Sequence, residues 1–216
     1  MAEQQGQALK VSEKVFEVGK RRGIVWPAFE IYGGVKGFYE YGPYGALIKR
    51  NIENILRNYY IVEENCFEIE TPTLTNEEIW IASGHIKNFS DVLVECEKCG
   101  EPYRADHLIQ ENLKEKTEGL SVIGLDEKIH KNNLKCAKCG GTFGKAYDYN
   151  LMFRTFIGPG KYKVAGYLRP ETAQGTYVPF KRLFKTAREK LPFGAFQVGH
   201  SYRNEISPRQ GMIRLR

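Results

Sequence analysis

Near the start of the chain, apolar positions recur at helical spacing: Val11, Val15 and Val18 fall within residues 9–22, and Gly23 stands where that helix would end. A stronger stripe follows Pro43, where Ile48, Ile52, Ile55, Leu56 and Tyr59 occupy i, i+4, i+7, i+8 and i+11 of one helical face. Between them, residues 26–44 are rich in glycine and aromatics. Turns are expected there at Gly33–Gly34 and at YGPYG (41–45), with a short strand at Gly37–Tyr41. The period then changes to two. Phe67 and Ile69 alternate with Glu68 and Glu70 until Pro72 stops the strand. Residues 76–83 read as a short helix with Asn76 as its cap and Gly84 behind it.

From about residue 95 to 147 the chain is rich in Lys, Glu and Cys, and reads as an insertion with one or two helices of its own. Strand character returns at 149–156, 164–171, 193–199 and 201–206, around a single long helix predicted over about 174–190. This order is α+β, with mostly antiparallel strands, not a doubly wound parallel sheet. The division expected is residues 1–94, an insertion at 95–147, and a sheet at 148–216. Internal repeats are absent apart from two short cysteine motifs.

Composition narrows the class. The 216 residues are 42% hydrophobic and 27% charged, with 12 Phe, 13 Tyr and 2 Trp, which excludes a disordered chain. No run approaches the ~18 apolar residues of a membrane span, and residues 1–10 lack the apolar core of a secretory signal. A cytoplasmic protein is expected. The formal net charge of +6 suits nucleic acid or phosphate-bearing ligands without requiring them. The positive charge gathers late: 181–190 carries five bases against one acid, and 201–216 carries four arginines against one glutamate.

Four of the five cysteines form two matching CxxCG units, Cys96–Gly100 and Cys136–Gly140, with 36 residues between Cys99 and Cys136. Each tight turn can aim two sulfurs at one point, and the trailing glycine allows the positive φ such a turn needs. A lysine inside each turn favours the thiolates. Four thiolates leave no open position, so structural zinc on Cys96, Cys99, Cys136 and Cys139 is expected, against a reading as two reduced or redox pairs. Cys66 is read as a small buried hydrophobe.

The C-terminal segment carries sharper chemistry. Arg203-Asn204-Glu205, a turn at 207–211, then Met212-Ile213-Arg214-Leu215-Arg216 would form two antiparallel strands with Arg203 and Glu205 on one face and Arg214 and Arg216 returning nearby. Arginine suits bidentate phosphate binding, and a glutamate can accept from an exocyclic amine. A surface strand pair with cross-strand ion pairs would look the same.

Together with Arg169-Pro170-Glu171-Thr172-Ala173-Gln174-Gly175, these residues resemble the class II aminoacyl-tRNA synthetases, and within them the glycyl-tRNA synthetases of the archaeal and eukaryotic homodimeric type. The helix from Gly45 with the strand to Pro72 resembles motif 1, and 202–205 with Arg214 resembles motif 2. WIASGH (80–85) and YRADH (103–107) are similar to the glycine-specific members. The resemblance runs from about residue 12 to 216. It implies an antiparallel catalytic sheet flanked by helices, dimerisation through motif 1, and a glycine–tRNA ligase activity using ATP and Mg²⁺.

The resemblance also implies residue roles. Arg203 would bind the α-phosphate as the catalytic residue, with Asn204, Glu205, Arg214, Leu215 and Arg216 completing the ATP site. Glu171 would hold the glycine ammonium, Arg104 would line the glycine pocket, and Arg209 would meet the tRNA acceptor end. Three local alternatives stay open: Glu171 as a helix-terminal carboxylate, Arg104 as the partner of Asp106 or Glu101, and Arg209 as an exposed loop arginine. His85 and His107 are read as structural. The sequence stops before the acidic residue and phenylalanine that would continue motif 2, and before motif 3 and the anticodon-binding domain. An N-terminal fragment or split half is therefore expected, inactive alone. The competing expectation is a non-catalytic synthetase-like accessory subunit.

Overall fold

The structure is a computed structural model, which describes residues 2–35 and 37–205. The chain divides into two compact units. One is formed by the residues up to Thr75 with Leu168–Arg203, the other by Asn76–Tyr167 with Asn204 and Glu205.

In the first unit the early stripe forms a helix, Ala2–Arg21, and Gly23 follows in the left-handed region. A two-stranded antiparallel pair, Val25–Pro27 with Tyr39–Tyr41, occupies part of the turn-rich segment. Pro43 opens the second helix, Pro43–Asn58, where its missing N–H costs nothing, and a wider π turn carries the chain on through Tyr59–Glu63. Gly45 is required by packing, since a Cβ there would collide with the carbonyl of Ile24. The apolar face of this helix is open: Ile48 is 49%, Ile52 54% and Ile55 69% exposed. The strand expected at 66–72 is shorter, Phe67–Glu68, and pairs in parallel with Ala195–Phe196.

The long helix expected over 174–190 is corrected. Two short helices, Ala173–Tyr177 and Phe180–Thr186, stand in its place. Pro179 lies between them and has no N–H to continue the ladder. The second helix then ends where Arg188 and Glu189 turn left-handed, at φ 54° and 58°. Residues 201–205 also differ from expectation, adopting no regular strand. Their backbone bonds are isolated ones, Tyr202 N–H to Arg169 O at 2.9 Å and Asn204 N–H to Leu151 O at 2.8 Å.

The second unit is built on a three-stranded antiparallel sheet in the order Pro102–Arg104, Ser90–Glu95, Tyr147–Asn150. Helices Ala105–Leu113 and Val122–Lys131 bury one core with it, from Val94, Leu108, Ile109, Leu125, Ile129 and Phe143. Ser121 caps the latter helix, accepting from the Gly124 N–H at 3.2 Å. A smaller cluster surrounds Trp80, the buried residue of the expected short helix, Glu77–Ala82, with Met152 and Tyr167. The single strand expected over 149–156 is two, ending at Asn150 and resuming at Arg154–Ile157. Asn150 makes the break: its side chain accepts from the Met152 N–H at 2.9 Å and donates to Ile86 O at 3.0 Å. Arg154–Ile157 then forms a hairpin with the strand starting at Val164. Among the described residues no helix is long and apolar enough to cross a membrane.

Candidate functional site

The two CxxCG units fold as equivalent knuckles. In each, the glycine N–H returns to the first cysteine's carbonyl at 2.8 Å (Gly100 to Cys96, Gly140 to Cys136), and both glycines sit at φ 69°. The sheet brings them together. Cys96 follows the central strand and bridges to Phe143, just past the second knuckle. Gly141 lets the knuckles meet, since a Cβ there would lie 2.8 Å from Lys98 Cβ and 2.9 Å from Cys96 Sγ.

The four sulfurs all lie within 4.8 Å of one another, with Cys96–Cys139 at 3.4 Å and Cys99–Cys136 at 3.7 Å. Tetrahedral coordination with metal–sulfur bonds of ~2.3 Å requires sulfurs about 3.8 Å apart, so the donor set fits a metal ion. Cys96 and Cys136 are buried, Cys139 is half-buried and Cys99 is exposed. The Tyr103 hydroxyl, 3.3 Å from Cys136 Sγ, is the main cause holding that thiol down at about 6, while the same bond pushes the phenol up to about 12. Cys139 lies at the opposite extreme. The Gly141 N–H lowers it, but burial and the neighbouring thiols outweigh this and push it up to about 12. Thiols this crowded divide into ionised and protonated ones unless a cation lies among them.

The other residues singled out in the sequence fall in both units. In the second, Arg104 takes Asp106 in a two-point pair, at 3.1 and 2.7 Å, and reaches Asp91 at 3.1 Å. Glu101 pairs instead with Lys138, at 2.5 Å. Glu205 acts electrostatically on both Arg104 and Asp91, so these charged residues form one cluster. In the first unit, Arg203 Nε donates to Pro170 O at 3.3 Å, the carbonyl next to Glu171. Glu171 itself accepts from Gln174 Nε2 at 3.0 Å, in the first turn of the following helix. Arg209, Arg214, Leu215 and Arg216 lie outside the described residues.

Sequence reasoning missed two features. Tyr103 was passed over as a partner of the sulfurs, although it opens YRADH. Arg169, the first residue of RPETAQG, is buried: it bonds Thr71, Gln197 and the backbone of His200.

Fold and site thus define a mixed α+β protein with small sheets and a four-cysteine centre able to bind a metal. No protein-family model matches the chain. Curated proteins do. It is 55% identical over 204 residues to the glycine–tRNA ligase of Methanococcus maripaludis (strain C7), covering 94% of this chain and 35% of that protein. To that of Methanocaldococcus jannaschii it is 55% identical over 206 residues (95% and 36%), and to that of Pyrococcus abyssi 56% over 211 residues (98% and 37%). The chain is a homologue of the glycine–tRNA ligases, matching the N-terminal part of them. It spans about a third of the length of these relatives.

Proposed function

We propose that this chain is the N-terminal part of a glycine–tRNA ligase, which activates glycine with ATP to glycyl-adenylate and passes glycine to tRNA(Gly). The observation that carries the reading is identity above half, sustained over nearly the whole chain, to enzymes of that name. On this reading residues 1–94 and 148–216 belong to a class II catalytic sheet, 95–147 is an insertion, and the protein works in the cytoplasm. The open face of the Pro43–Asn58 helix is the dimer contact.

The chemistry suits the residues. The glycine carboxylate is already ionised, so attack on the α-phosphate requires alignment and charge compensation, not a base. Arg203 supplies the compensation, Glu205 accepts from the adenine amino group, and Asn204 belongs to the same ATP site. Arg214, Leu215 and Arg216 complete the ATP site, where Mg²⁺ would offset the charge of the outer phosphates. Glu171 receives the ammonium and Arg104 lines the glycine pocket, where bulk near Cα excludes larger side chains. Arg209 meets the tRNA acceptor end. Cys96, Cys99, Cys136 and Cys139 hold a zinc ion that staples the insertion and takes no part in the reaction.

Glycine-dependent ATP–pyrophosphate exchange tests this, with the chain alone and mixed with a separately produced C-terminal remainder. Exchange in the mixture, lost with Arg203→Ala, supports the reading. No exchange in either, with tRNA still bound, favours an accessory subunit.

A further inference from the structure

We propose that the Tyr103 hydroxyl is a dedicated hydrogen-bond donor to the four-cysteine centre, setting the charge and donor strength of Cys136 toward a bound divalent cation. This rests on reading Cys96, Cys99, Cys136 and Cys139 as a metal centre.

The two knuckles are built alike, yet their surroundings differ. Tyr103 Oη lies 3.3 Å from Cys136 Sγ, a hydrogen-bonding distance for sulfur. Two independent elements hold the phenol there. Its backbone is fixed in the edge strand Pro102–Arg104, where Tyr103 pairs with the fully buried Val94. Its ring stands edge-on to Phe143, with centroids 5.4 Å apart and planes at 76°. Phe143 is the residue bridged to Cys96, so the phenol is tied to both knuckles.

A donor matters at this sulfur. Four thiolates around a dication leave a net charge of −2, which must be spread over hydrogen-bond donors where water is excluded. Cys99 is exposed and can be served by solvent, whereas Cys136 is buried and depends on donors from the chain. As a phenol can donate where a thiolate can only accept, the proton points at the sulfur. Losing that bond concentrates charge on Cys136, which weakens the centre as a whole and makes this sulfur easier to oxidise in a charge-transfer transition.

Tyr103→Phe isolates the hydroxyl, because the ring and its contact with Phe143 remain. Cobalt(II) is the probe, titrated into the purified chain and followed by its thiolate charge-transfer and ligand-field bands; zinc affinity is read by competition with a chromogenic chelator. We expect one cobalt per wild-type chain. In Tyr103→Phe the charge-transfer band should move to lower energy and zinc affinity should fall roughly tenfold. Tyr147→Phe, which removes a hydroxyl that donates to Glu95 in the neighbouring strand, should change neither. If the wild type binds cobalt and Tyr103→Phe matches it in spectrum and affinity, the role of Tyr103 is overturned and the metal centre stands. If the wild type binds neither metal, the metal reading fails and this inference with it.

Discussion

Arg169 donates from Nη1 to the carbonyl oxygen of Thr71 at 2.9 Å, joining positions 98 residues apart. The same side chain reaches Thr71 Oγ1 at 3.1 Å, Gln197 Oε1 at 3.3 Å and, through Nε, His200 O at 2.8 Å. These acceptors are neutral oxygens, so the guanidinium works as a rigid multi-pronged donor, a role lysine's single ammonium cannot reproduce. Its own carbonyl accepts from Tyr202, and the carbonyl of Pro170 accepts from Arg203. The buried cation thereby holds the Pro170–Glu171 corner beside the segment that leads to Arg203.

Arg169→Met should therefore lower the unfolding free energy by about 3 kcal/mol, because several buried acceptors lose their donor at once. Urea denaturation checks this. A midpoint indistinguishable from wild type would show that these bonds are dispensable.

Gly175→Ala should destabilise the same region by about 1–3 kcal/mol. A Cβ there would run into Thr71 Oγ1 and Gln197 Nε2, and Thr71 and Gln197 are themselves joined at 2.8 Å. Thermal unfolding of the variant beside the wild type reads this clash directly, because alanine in place of glycine would otherwise favour the helix.

The Arg104 cluster predicts a distinct acid profile. Burial pushes the Asp106 carboxyl up, but the bonds from Arg104 and the His107 N–H outweigh it and hold it below the ordinary 3.8. Its folded value is depressed, so its contribution is full above the ordinary value and is lost as pH falls through the depressed one. Asp91 runs the other way: burial, the larger effect, raises it despite Arg104. Asp106→Asn should cost stability at pH 7, with the deficit vanishing at the acid end, and Asp91→Asn should cost less at pH 7. Urea titrations from pH 7 to about pH 2 read both.

Metal content gives a fourth test. The purified chain should hold one zinc ion by elemental analysis, and Cys136→Ser should abolish it and lower the thermal midpoint. Stripping the ion with a chelator should loosen the Ala105–Leu113 and Val122–Lys131 helices, whose core includes Cys96 and Cys136. Hydrogen exchange confined to those helices is the expected signature; a chelated protein as protected as the untreated one would exclude a structural ion.

If the open face of the Pro43–Asn58 helix is covered by a second copy, Ile52→Glu should convert dimer to monomer in sedimentation velocity while leaving the zinc content unchanged. A charge placed in that apolar contact carries its desolvation cost unpaired. A wild-type chain that sediments as a monomer at every accessible concentration would count against dimerisation through this face.

What the sequence determined alone is what depends on neighbours a few residues away. Pro43 opens a helix because its fixed φ and missing N–H suit a first turn, whatever packs on it later. Gly100 and Gly140 close their knuckles because only a residue without Cβ takes that φ readily. The motif residues pointed to the right relatives for the same reason: their identity is read one position at a time. The single helix expected over 174–190 failed on an equally local matter, since Pro179 has no N–H with which to continue the ladder.

Tertiary structure decided everything that closes a long loop. Spacing could bring two cysteines to one point, but the meeting of Cys96 with Cys139 depends on the pairing of Ser90–Glu95 with its two neighbours. Tyr103 reaches Cys136 by the same closure, and Arg169 reaches Thr71 and Gln197 by another. No periodicity encodes such bonds. They form only once hydrophobic burial has offset the entropy of bringing distant segments together, and only then does a tyrosine or an arginine acquire its partner.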